Sequence, residues 1–318
     1  MNFIVKTTAE LTSQEKIQII NLFNTVFDKH RSLLEFDNQY LNNPLGYSYH
    51  SIMVDDNNIV GHNSGIPCFY HFGAEKILSV CNVDTMIAKS HRGIENLYDL
   101  MDHAYKKYKQ DGIKFVYGFP NDNSYPLLTQ LSFMDNIGKL DTYCLPYRIG
   151  GIKRQLNILN FASKFFCKTW VNITSIFASR DIVSFEIEKE SESYNLTRYK
   201  RNDGKYSIVH LDKFSFVYKI ITYENIRTAF LIDVMEKSAN NYCKAVKYLL
   251  KNENINFDLI LYVGSLPFKK NGFVKFPRKF EPKHFHFTAK IFDNKLIDSK
   301  NFCNINSWDV NLSNYDLI

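Results

Sequence analysis

Hydrophobic and polar positions in the first half of the chain follow strand and helix periods in turn. The opening residues Met1–Lys6 have a strand pattern. Thr12 and Glu15 have the spacing of a capping box, and apolar residues recur every three or four positions from Ile17 to Phe27, which predicts a helix. The other strand patterns of this half are Ser51–Val54, Ile59–Phe69, Ile77–Ile87, Ile113–Phe119 and Thr142–Tyr147.

A basic turn, Lys89–Gly93, separates the long strand pattern Ile77–Ile87 from the next helix pattern. Apolar residues after the turn form one stripe from Ile94 to Tyr108, and a short helix is predicted over Ser124–Leu131. Amide N–H groups at a helix N-terminus have no partner within the helix, and Arg92 and Gly93 allow a phosphate to approach them. The pattern therefore indicates a phosphate-binding turn, with a turn that binds nothing as the alternative.

Composition narrows the class of protein. The length of 318 residues indicates about two domains, and 45% apolar residues give each domain a core, which excludes a disordered chain. No stretch reaches about 18 apolar residues, so no membrane span is expected, and Met1–Lys6 lacks the features of a signal peptide. The net charge of +6 suits a small polyanion such as a coenzyme and gives no basic stripe for nucleic acid.

Cysteine and histidine spacing predicts no metal site. The six cysteines form no CxxC pair, and the nine histidines lack ligand spacing apart from His284 and His286, which alternate on a predicted strand. Reduced, buried thiols in a cytoplasmic protein are the expectation.

Five short motifs in the first 148 residues occur in the order typical of one family. They are Ile59–Gly61, Val83–Met86, His91–Gly93, Gly118–Asn121 and Leu131–Phe133. With these motifs the sequence resembles the GNAT acyltransferase superfamily. The resemblance implies an α/β (mixed α+β) fold, in which a twisted mixed, mainly antiparallel sheet is flanked by helices.

The resemblance also implies a co-substrate, acyl-CoA, with acetyl-CoA or a hydroxyacyl-CoA as the donor. Its thioester would lie where the sheet splays beside the end of the long strand. The implied coenzyme-binding residues are Met86, Ile87, Arg92, Gly93, Ile94, Glu95, Asn96, Leu97 and Asn121. Glu95 and Leu97 stand where the family has small residues, and Leu128 stands where the family often has a tyrosine that protonates the departing thiolate. Tyr125 is the nearest substitute for that tyrosine.

Acyl transfer to an amine needs a base, an oriented amine and a stabilised thioester oxygen. Strand alternation places Leu78, Val80, Asn82, Asp84 and Met86 on one face. We therefore predict Asp84 as general base, directly or through water, and Asn82 as the residue that orients the amine. A structural hydrogen-bond acceptor is the alternative role for Asp84, and His71 and His91 are alternative bases.

Four short sequence matches, in the same order, relate the second half of the chain to the first. One pairs Val83–Met86 with Ile232–Met235, so that Asp233 matches Asp84. The matches predict a duplication, with chance similarity of short segments as the alternative. The resulting division is a coenzyme-binding domain at 1–150, a linking helix at 151–180 and a degenerate GNAT-like domain at 181–318. Ser238–Asn241 replaces the basic turn, so the coenzyme is expected to bind in the first half only.

The second half is expected to supply acceptor contacts. Arg198, Tyr199 and Arg201 are the candidates, with a solvated basic turn as the alternative. The apolar stretch Gln155–Ser179, which contains Trp170, predicts a linking helix packed against both domains. An in-plane membrane helix or a self-association helix is the alternative, and the latter would give a homo-oligomer.

The acceptor is implied by resemblance alone. Two-copy chains of this length with the stretch Gly118–Asn121 are similar to bacterial sugar N-acyltransferases of surface-polysaccharide synthesis. That similarity implies acyl transfer to the amine of a dTDP- or UDP-linked dideoxy amino sugar. The alternatives are another acceptor (a polyamine, a peptide or a sugar hydroxyl) or a non-catalytic binding protein with the same fold.

Overall fold

The structure, a computed structural model, describes residues 1–190, 198–199, 206–252, 254–293 and 298–315. The strands are β1 (Asn2–Thr7), β2 (Tyr49–Asp55), β3 (Asn58–Phe72), β4 (Glu75–Ile87), β5 (Phe115–Gly118), β6 (Asp135–Lys139), β7 (Asp141–Pro146), β8 (Ile187–Lys189), β9 (Ser207–Leu211), β10 (Phe214–Tyr223), β11 (Ile226–Val234), β12 (Leu259–Gly264), β13 (Val274–Lys275) and β14 (His286–Ile291). The helices are α1 (Ser13–Phe27), α2 (Leu33–Leu41), α3 (Ile94–Gln110), α4 (Ser124–Gln130), α5 (Ile149–Ile152), α6 (Asn160–Ile176), α7 (Ala239–Lys251) and α8 (Ser299–Phe302).

The chain divides into two compact units, each made of separate segments. The first comprises Met1–Gly138, Glu186–Asn202 and Phe285–Ser307, and the second comprises Lys139–Phe185, Asp203–His284 and Trp308–Ile318. Two strands cause this arrangement, because β14 pairs with β5 in the first sheet and β7 pairs with β12 in the second. The units therefore differ from the segments 1–150, 151–180 and 181–318 that the sequence suggested.

The first unit is built on a mixed sheet with the order β1-β2-β3-β4-β5-β14-β6, to which β8 adds by pairing with β3. Neighbouring strands from β1 to β4 are antiparallel, whereas β4 and β5 are parallel, as the α3 crossover between them requires. On one face α3 packs Leu100, Met101, Ala104 and Tyr108 into a core with Val80 and Val116. The predicted fold class, a mixed α/β sheet flanked by helices, is confirmed.

The helices α1 and α2 show where local patterns predict structure and where they do not. The predicted capping box is present, since the Glu15 amide donates to Thr12 Oγ1 over 3.2 Å. Ile17 and Phe27 are exposed, however, so the buried stripe of α1 is narrower than predicted. The helix α2 was not predicted, although Ser32 and Glu35 form a second capping box at its start.

The second unit repeats the order of elements at the centre of the first. Its sheet has the order β13-β7-β12-β11-β10-β9, in which the hairpin β10–β11 is followed by α7 and by β12 parallel to β11. The first unit has the same succession in β3, β4, α3 and β5. This agreement supports the predicted duplication.

The segment predicted as a linking helix is a 3-10 turn, Arg154–Leu159, followed by α6. One face of α6 buries Cys167, Val171 and Thr174, and α6 packs against α7 and β7 of its own unit. Most other apolar side chains of the helix are exposed. Within the second unit α6 therefore buries one face only, and its predicted packing against a second domain stays a prediction.

Candidate active site

The parallel strands β4 and β5 separate at one end. Their pairing runs from Ser79–Phe115 to Asn82–Gly118, and β4 continues beyond Asn82 to Ile87 while β5 ends. Over Val83–Ile87 no strand of the described residues pairs with β4 on the side toward β5, so this edge is open. Ala88 donates its amide to the Val60 carbonyl on β3, so by alternation the Ile87 amide points toward the open edge.

A β-bulge lies where the strands separate. Ser64 pairs with Val83 but His62 pairs with Met86, so two residues of β4, Asp84 and Thr85, face one residue of β3. The φ of Asp84 is +52°, in the left-handed region.

The bulge changes which residues share a face. Leu78 and Val80 pack in the core beneath α3, and Asn82 is near it, with Nδ2 4.0 Å from the Met101 sulfur. Asp84 instead contacts side chains from α2 and the residues before it. The prediction that Leu78 to Met86 share one face by strict alternation is wrong, because the extra residue turns the strand over.

Asp84 is a buried carboxylate with three donors on one of its oxygens. Its Oδ2 accepts from Arg31 Nη1 at 2.7 Å, from the Tyr40 hydroxyl at 2.6 Å and from Gln39 Nε2 at 3.2 Å. Burial, and then the charge of Asp84, raises the pKa of Tyr40 well above its usual value, so the phenol remains a donor. Three donors on one oxygen satisfy the buried carboxylate. These contacts favour the structural role of Asp84.

The matching aspartate of the second unit has an equivalent environment. Asp233 is fully buried, and its Oδ1 accepts from Asn311 Nδ2 at 2.7 Å and lies 3.2 Å from Lys237 Nζ. Burial opposes the charge of Lys237, but Asp233 and Asp309 outweigh burial and raise its pKa. A buried carboxylate paired with a cation at the end of the long strand is thus common to both units.

Two histidines that the sequence did not single out lie beside the bulge. His50 Nδ1 and His62 Nε2 are 3.0 Å apart, and His50 Nε2 is 3.1 Å from Thr8 Oγ1. Burial lowers the pKa of His62 to about 4, and burial and then His62 lower that of His50 well below its usual value. Both rings are therefore neutral at neutral pH.

This pair predicts a loss of stability in mild acid. The unfolded chain takes up protons below a pKa of about 6.5, whereas folded His62 does so only near 4, so stability is complete above pH 6.5 and falls between the two values. His62 should lower the free energy of unfolding by about 2 kcal/mol by pH 5, and His50 acts in the same direction. Thermal unfolding of His62→Gln should show a weaker pH dependence, whereas His103→Gln, on the surface of α3, should match the wild type. A melting temperature constant from pH 7 to pH 5 would contradict the assignment.

The basic turn presents an uncapped helix N-terminus. Gly93 is the N-cap of α3 and makes no side-chain cap, and a Cβ added to it would meet no atom within 4 Å. Leu97 donates its amide to the Gly93 carbonyl over 3.1 Å, so the amides of Ile94, Glu95 and Asn96 precede the helix's own hydrogen bonds. The predicted amide donor Leu97 is thus already used.

The side chains of the turn leave this N-terminus open. Arg92 is exposed and donates from Nε to the Ile87 carbonyl over 3.3 Å, and Glu95 is exposed to solvent, away from the core. His91, an alternative base, lies with Nε2 3.1 Å from Asp55 Oδ2. In the second unit Ser238 caps α7 by accepting from the Asn241 amide, so that helix satisfies its own N-terminus.

A cavity of about 440 Å³ adjoins the turn. One side is a face of α1 that includes Asn21 and Thr25, and the other includes Ala88, Lys89 and Arg92. Two cationic side chains thus line a space beside the open helix end. The alternative base His71 lies elsewhere, nine residues from His62 along β3 and so roughly 30 Å away.

A cluster of three side chains lies on the β5 side of the gap between β4 and β5. His286 of β14 lies with Nε2 2.6 Å from Asp122 Oδ1, and its ring stacks on Tyr125 at 3.9 Å between centroids. The register that aligns Thr288 with Gly118 brings His286 to the start of α4. His286 is the residue that sequence analysis missed as a site candidate, since only its alternation with His284 was noticed.

The structure places the remaining predicted site residues in several different environments. Asn121 Oδ1 accepts from the amides of Asn123 and Ser124, so this oxygen is not available to a ligand. Met86 is buried. Arg198 and Tyr199 are buried in the first unit, which does not fit a solvated basic turn, and Arg201 lies outside the described residues.

Comparison with known proteins agrees with this geometry. Residues 7–133 match the family model described as an acetyltransferase (GNAT) domain. No curated protein matches the sequence. Solved structures share the fold at low identity, among them a probable N-acyltransferase of unknown function from Enterococcus faecalis V583 (10% identity, TM-score 0.58, covering 92% of this chain and 72% of that chain).

Two further structures also match over nearly the whole chain. A GCN5-related N-acetyltransferase from Kribbella flavida has 9% identity and a TM-score of 0.60, and covers 92% of this chain and 72% of its own. Eis1 from Mycobacterium abscessus has 10% identity and a TM-score of 0.58, and covers 95% of this chain and 76% of its own. Residues 7–133 form a GNAT acetyltransferase domain. This domain match, together with the shared fold, supports a CoA-dependent acyltransferase.

Proposed function

We propose that the first unit binds acyl-CoA and transfers its acyl group to the amine of a small-molecule acceptor. The separation of β4 from β5 beyond the Asn82–Gly118 pair, directly before the uncapped end of α3, carries this proposal. The open edge of β4 suits an extended amide chain, which pairs with a strand as another strand would. The pantetheine arm of acyl-CoA is such a chain.

The positions of donors along this edge suggest how the coenzyme lies. The amides of Ile94, Glu95 and Asn96, together with Arg92, would hold the pyrophosphate. The Ile87 amide faces the open edge and would donate to the thioester oxygen, which gains negative charge during transfer. Asn82 lies at the last pair before the strands separate, where we place the acceptor amine.

The leaving thiolate needs a proton, and we assign its transfer to Tyr125. Tyr125 lies at the start of α4, next to the end of β5, and its ring is held against His286. Leu128 packs into the core with α3 and offers no proton. His286, held by Asp122, is the residue that positions Tyr125.

The acceptor we propose is a nucleotide-linked (dTDP or UDP) amino sugar, which rests on the sequence resemblance and on the net charge of +6. The burial of Arg198 and Tyr199 gives no support to their predicted role in holding it. Release of free CoA should be measured with acetyl-CoA and four amines: a dTDP-linked amino sugar, a UDP-linked amino sugar, a polyamine and a peptide. Turnover with the polyamine or peptide alone would replace the proposed acceptor and leave acyl transfer in place.

Binding of the coenzyme has its own test. Free CoA at about 100 times its Kd should stabilise the folded protein by roughly 2.7 kcal/mol. A protein that acyl-CoA and CoA both leave unchanged would be a binding module with a GNAT fold, and the proposed transfer would fail.

Arg92→Ala should raise KM for acyl-CoA about 10- to 100-fold and leave kcat nearly unchanged. A hydrogen bond to a charged group contributes about 1.5–3 kcal/mol, and Arg92 is exposed, so the fold should not change. Lys106→Ala removes an equal charge from a later turn of α3 and is the matched control. An unchanged KM in Arg92→Ala would remove the turn from the coenzyme site.

A further inference from the structure

The helix α6 has an apolar face that no described residue covers. Its opposite side is anchored, since Val171 is fully buried in the core of the second unit. The apolar face of α6 consists of Phe161, Phe165, Phe166, Trp170, Ile173 and Ile176, which are between 45% and 84% exposed. Eleven of the twenty exposed large hydrophobic residues lie between Ile152 and Ile182.

The exposed area is too large for an ordinary protein surface. At about 200 Å² for a large side chain, the six residues expose on the order of 800 Å². Monomeric soluble proteins expose contiguous apolar patches of a few hundred Å², and larger ones mark an interaction surface. The apolar face of α6 therefore has the size of an interaction surface.

The charge around this face indicates which partner. Residues 142–180 contain six Lys or Arg and no Asp or Glu. Lys164 and Lys168 are one helical turn apart beside the apolar face, and Lys153 and Arg154 precede the helix. Two copies that met through this face would bring these cations together, and like charges repel. An anionic lipid surface instead complements them.

We propose that α6 lies flat in the interface of an anionic membrane. Its aromatic and aliphatic side chains would enter the boundary between headgroups and acyl chains, while Lys164 and Lys168 extend to the lipid phosphates. The helix has 17 residues and spans about 26 Å, and its other face is fixed to the second unit. None of the helices in the described residues is long and apolar enough to cross a bilayer.

The full-length protein should float with vesicles that contain 30% phosphatidylglycerol in phosphatidylcholine, and at least tenfold less with pure phosphatidylcholine. High salt should weaken the binding. Trp170 reports insertion by a blue shift of its fluorescence, because the other tryptophan, Trp308, is fully buried. Lipids brominated in their acyl chains should quench this emission.

Variants locate the contact. Phe165→Gln/Phe166→Gln should reduce the vesicle partition coefficient at least tenfold, and Lys164→Gln/Lys168→Gln should reduce it about tenfold on anionic vesicles only. Phe280→Gln changes a residue of similar exposure elsewhere in the second unit and should bind like the wild type. Because all these side chains lie at the surface, melting temperatures should not change.

Two results would overturn the proposal. In the first, the protein does not float with vesicles, light scattering shows a dimer, and Phe165→Gln/Phe166→Gln converts this dimer to a monomer. The apolar face of α6 would then be an interface between two copies of the chain. The other is absence of both flotation and a dimer. Acyl transfer to a soluble amine does not depend on this face, so failure here leaves the proposed function untouched.

Discussion

Asp84→Asn should lower the free energy of unfolding by about 3–5 kcal/mol, because it leaves the Arg31 guanidinium buried without a counter-charge. The side chains of Asp84 and Arg31 are 3% and 9% exposed and lie 2.7 Å apart. In a chain of this size the loss corresponds to roughly 10 °C in melting temperature. Urea unfolding followed by tyrosine and tryptophan fluorescence measures it directly.

Two further variants and a surface control test whether this loss of stability arises from the Arg31–Asp84 ion pair. Arg31→Met should destabilise the protein to a similar extent, and Arg31→Met/Asp84→Asn should recover much of the loss, since neither charge then remains buried alone. Asp37→Asn breaks the more exposed Lys16–Asp37 pair and should cost under about 1 kcal/mol.

The variant Asp84→Asn also distinguishes the two possible roles of Asp84, general base and structural hydrogen-bond acceptor. A general base would lose kcat at neutral pH while the protein kept its stability. An Asp84→Asn protein with an unchanged melting temperature and a kcat reduced at least a hundredfold would therefore establish the base and contradict the structural role. Asp233, which has a buried cation and no open phosphate turn beside it, is the reason to expect the structural outcome.

The sequence predicts those parts of the fold that depend on residues close together in the chain. The long strand, the turn Lys89–Gly93 and the helix α3 follow from local periodicity and end signals, and the structure places them as expected. The bulge at Asp84 was not predictable, because one extra residue in β4 is determined by pairing with β3 rather than by any pattern within β4.

The candidate site was predicted only in part, because only some of its features depend on residues that are close together in the chain. The open amides after Gly93 depend on a few adjacent residues. His286 reaches Asp122 and Tyr125 only because β14 pairs with β5, across a separation of 164 residues between His286 and Asp122. Arg31 likewise meets Asp84 from a segment 53 residues earlier. Contacts of this kind depend on the sheet order, which one sequence does not reveal.

Tyr125→Phe should reduce kcat by about 10²- to 10⁴-fold, the usual contribution of a general acid, and leave KM for acyl-CoA unchanged. Phenylalanine retains the ring that stacks on His286, so the melting temperature should stay constant. Tyr98→Phe, which removes a hydroxyl from an exposed tyrosine of α3, is the matched control and should keep full activity. Steady-state kinetics at saturating acceptor give kcat and KM for acyl-CoA for the wild type, Tyr125→Phe and Tyr98→Phe.

The acidity of the leaving thiol tests the chemical role of the hydroxyl. A thioester whose thiol is acidic enough to leave as the thiolate needs no proton, so Tyr125→Phe should slow its transfer much less than transfer from acyl-CoA. His286→Phe keeps an aromatic ring beside Tyr125 but loses the bond to Asp122, and a residue that positions the acid should give an intermediate loss of kcat with the same dependence on leaving group. Equal losses for both thioesters would show that Tyr125 acts on binding geometry, and another residue or water would then protonate the thiolate.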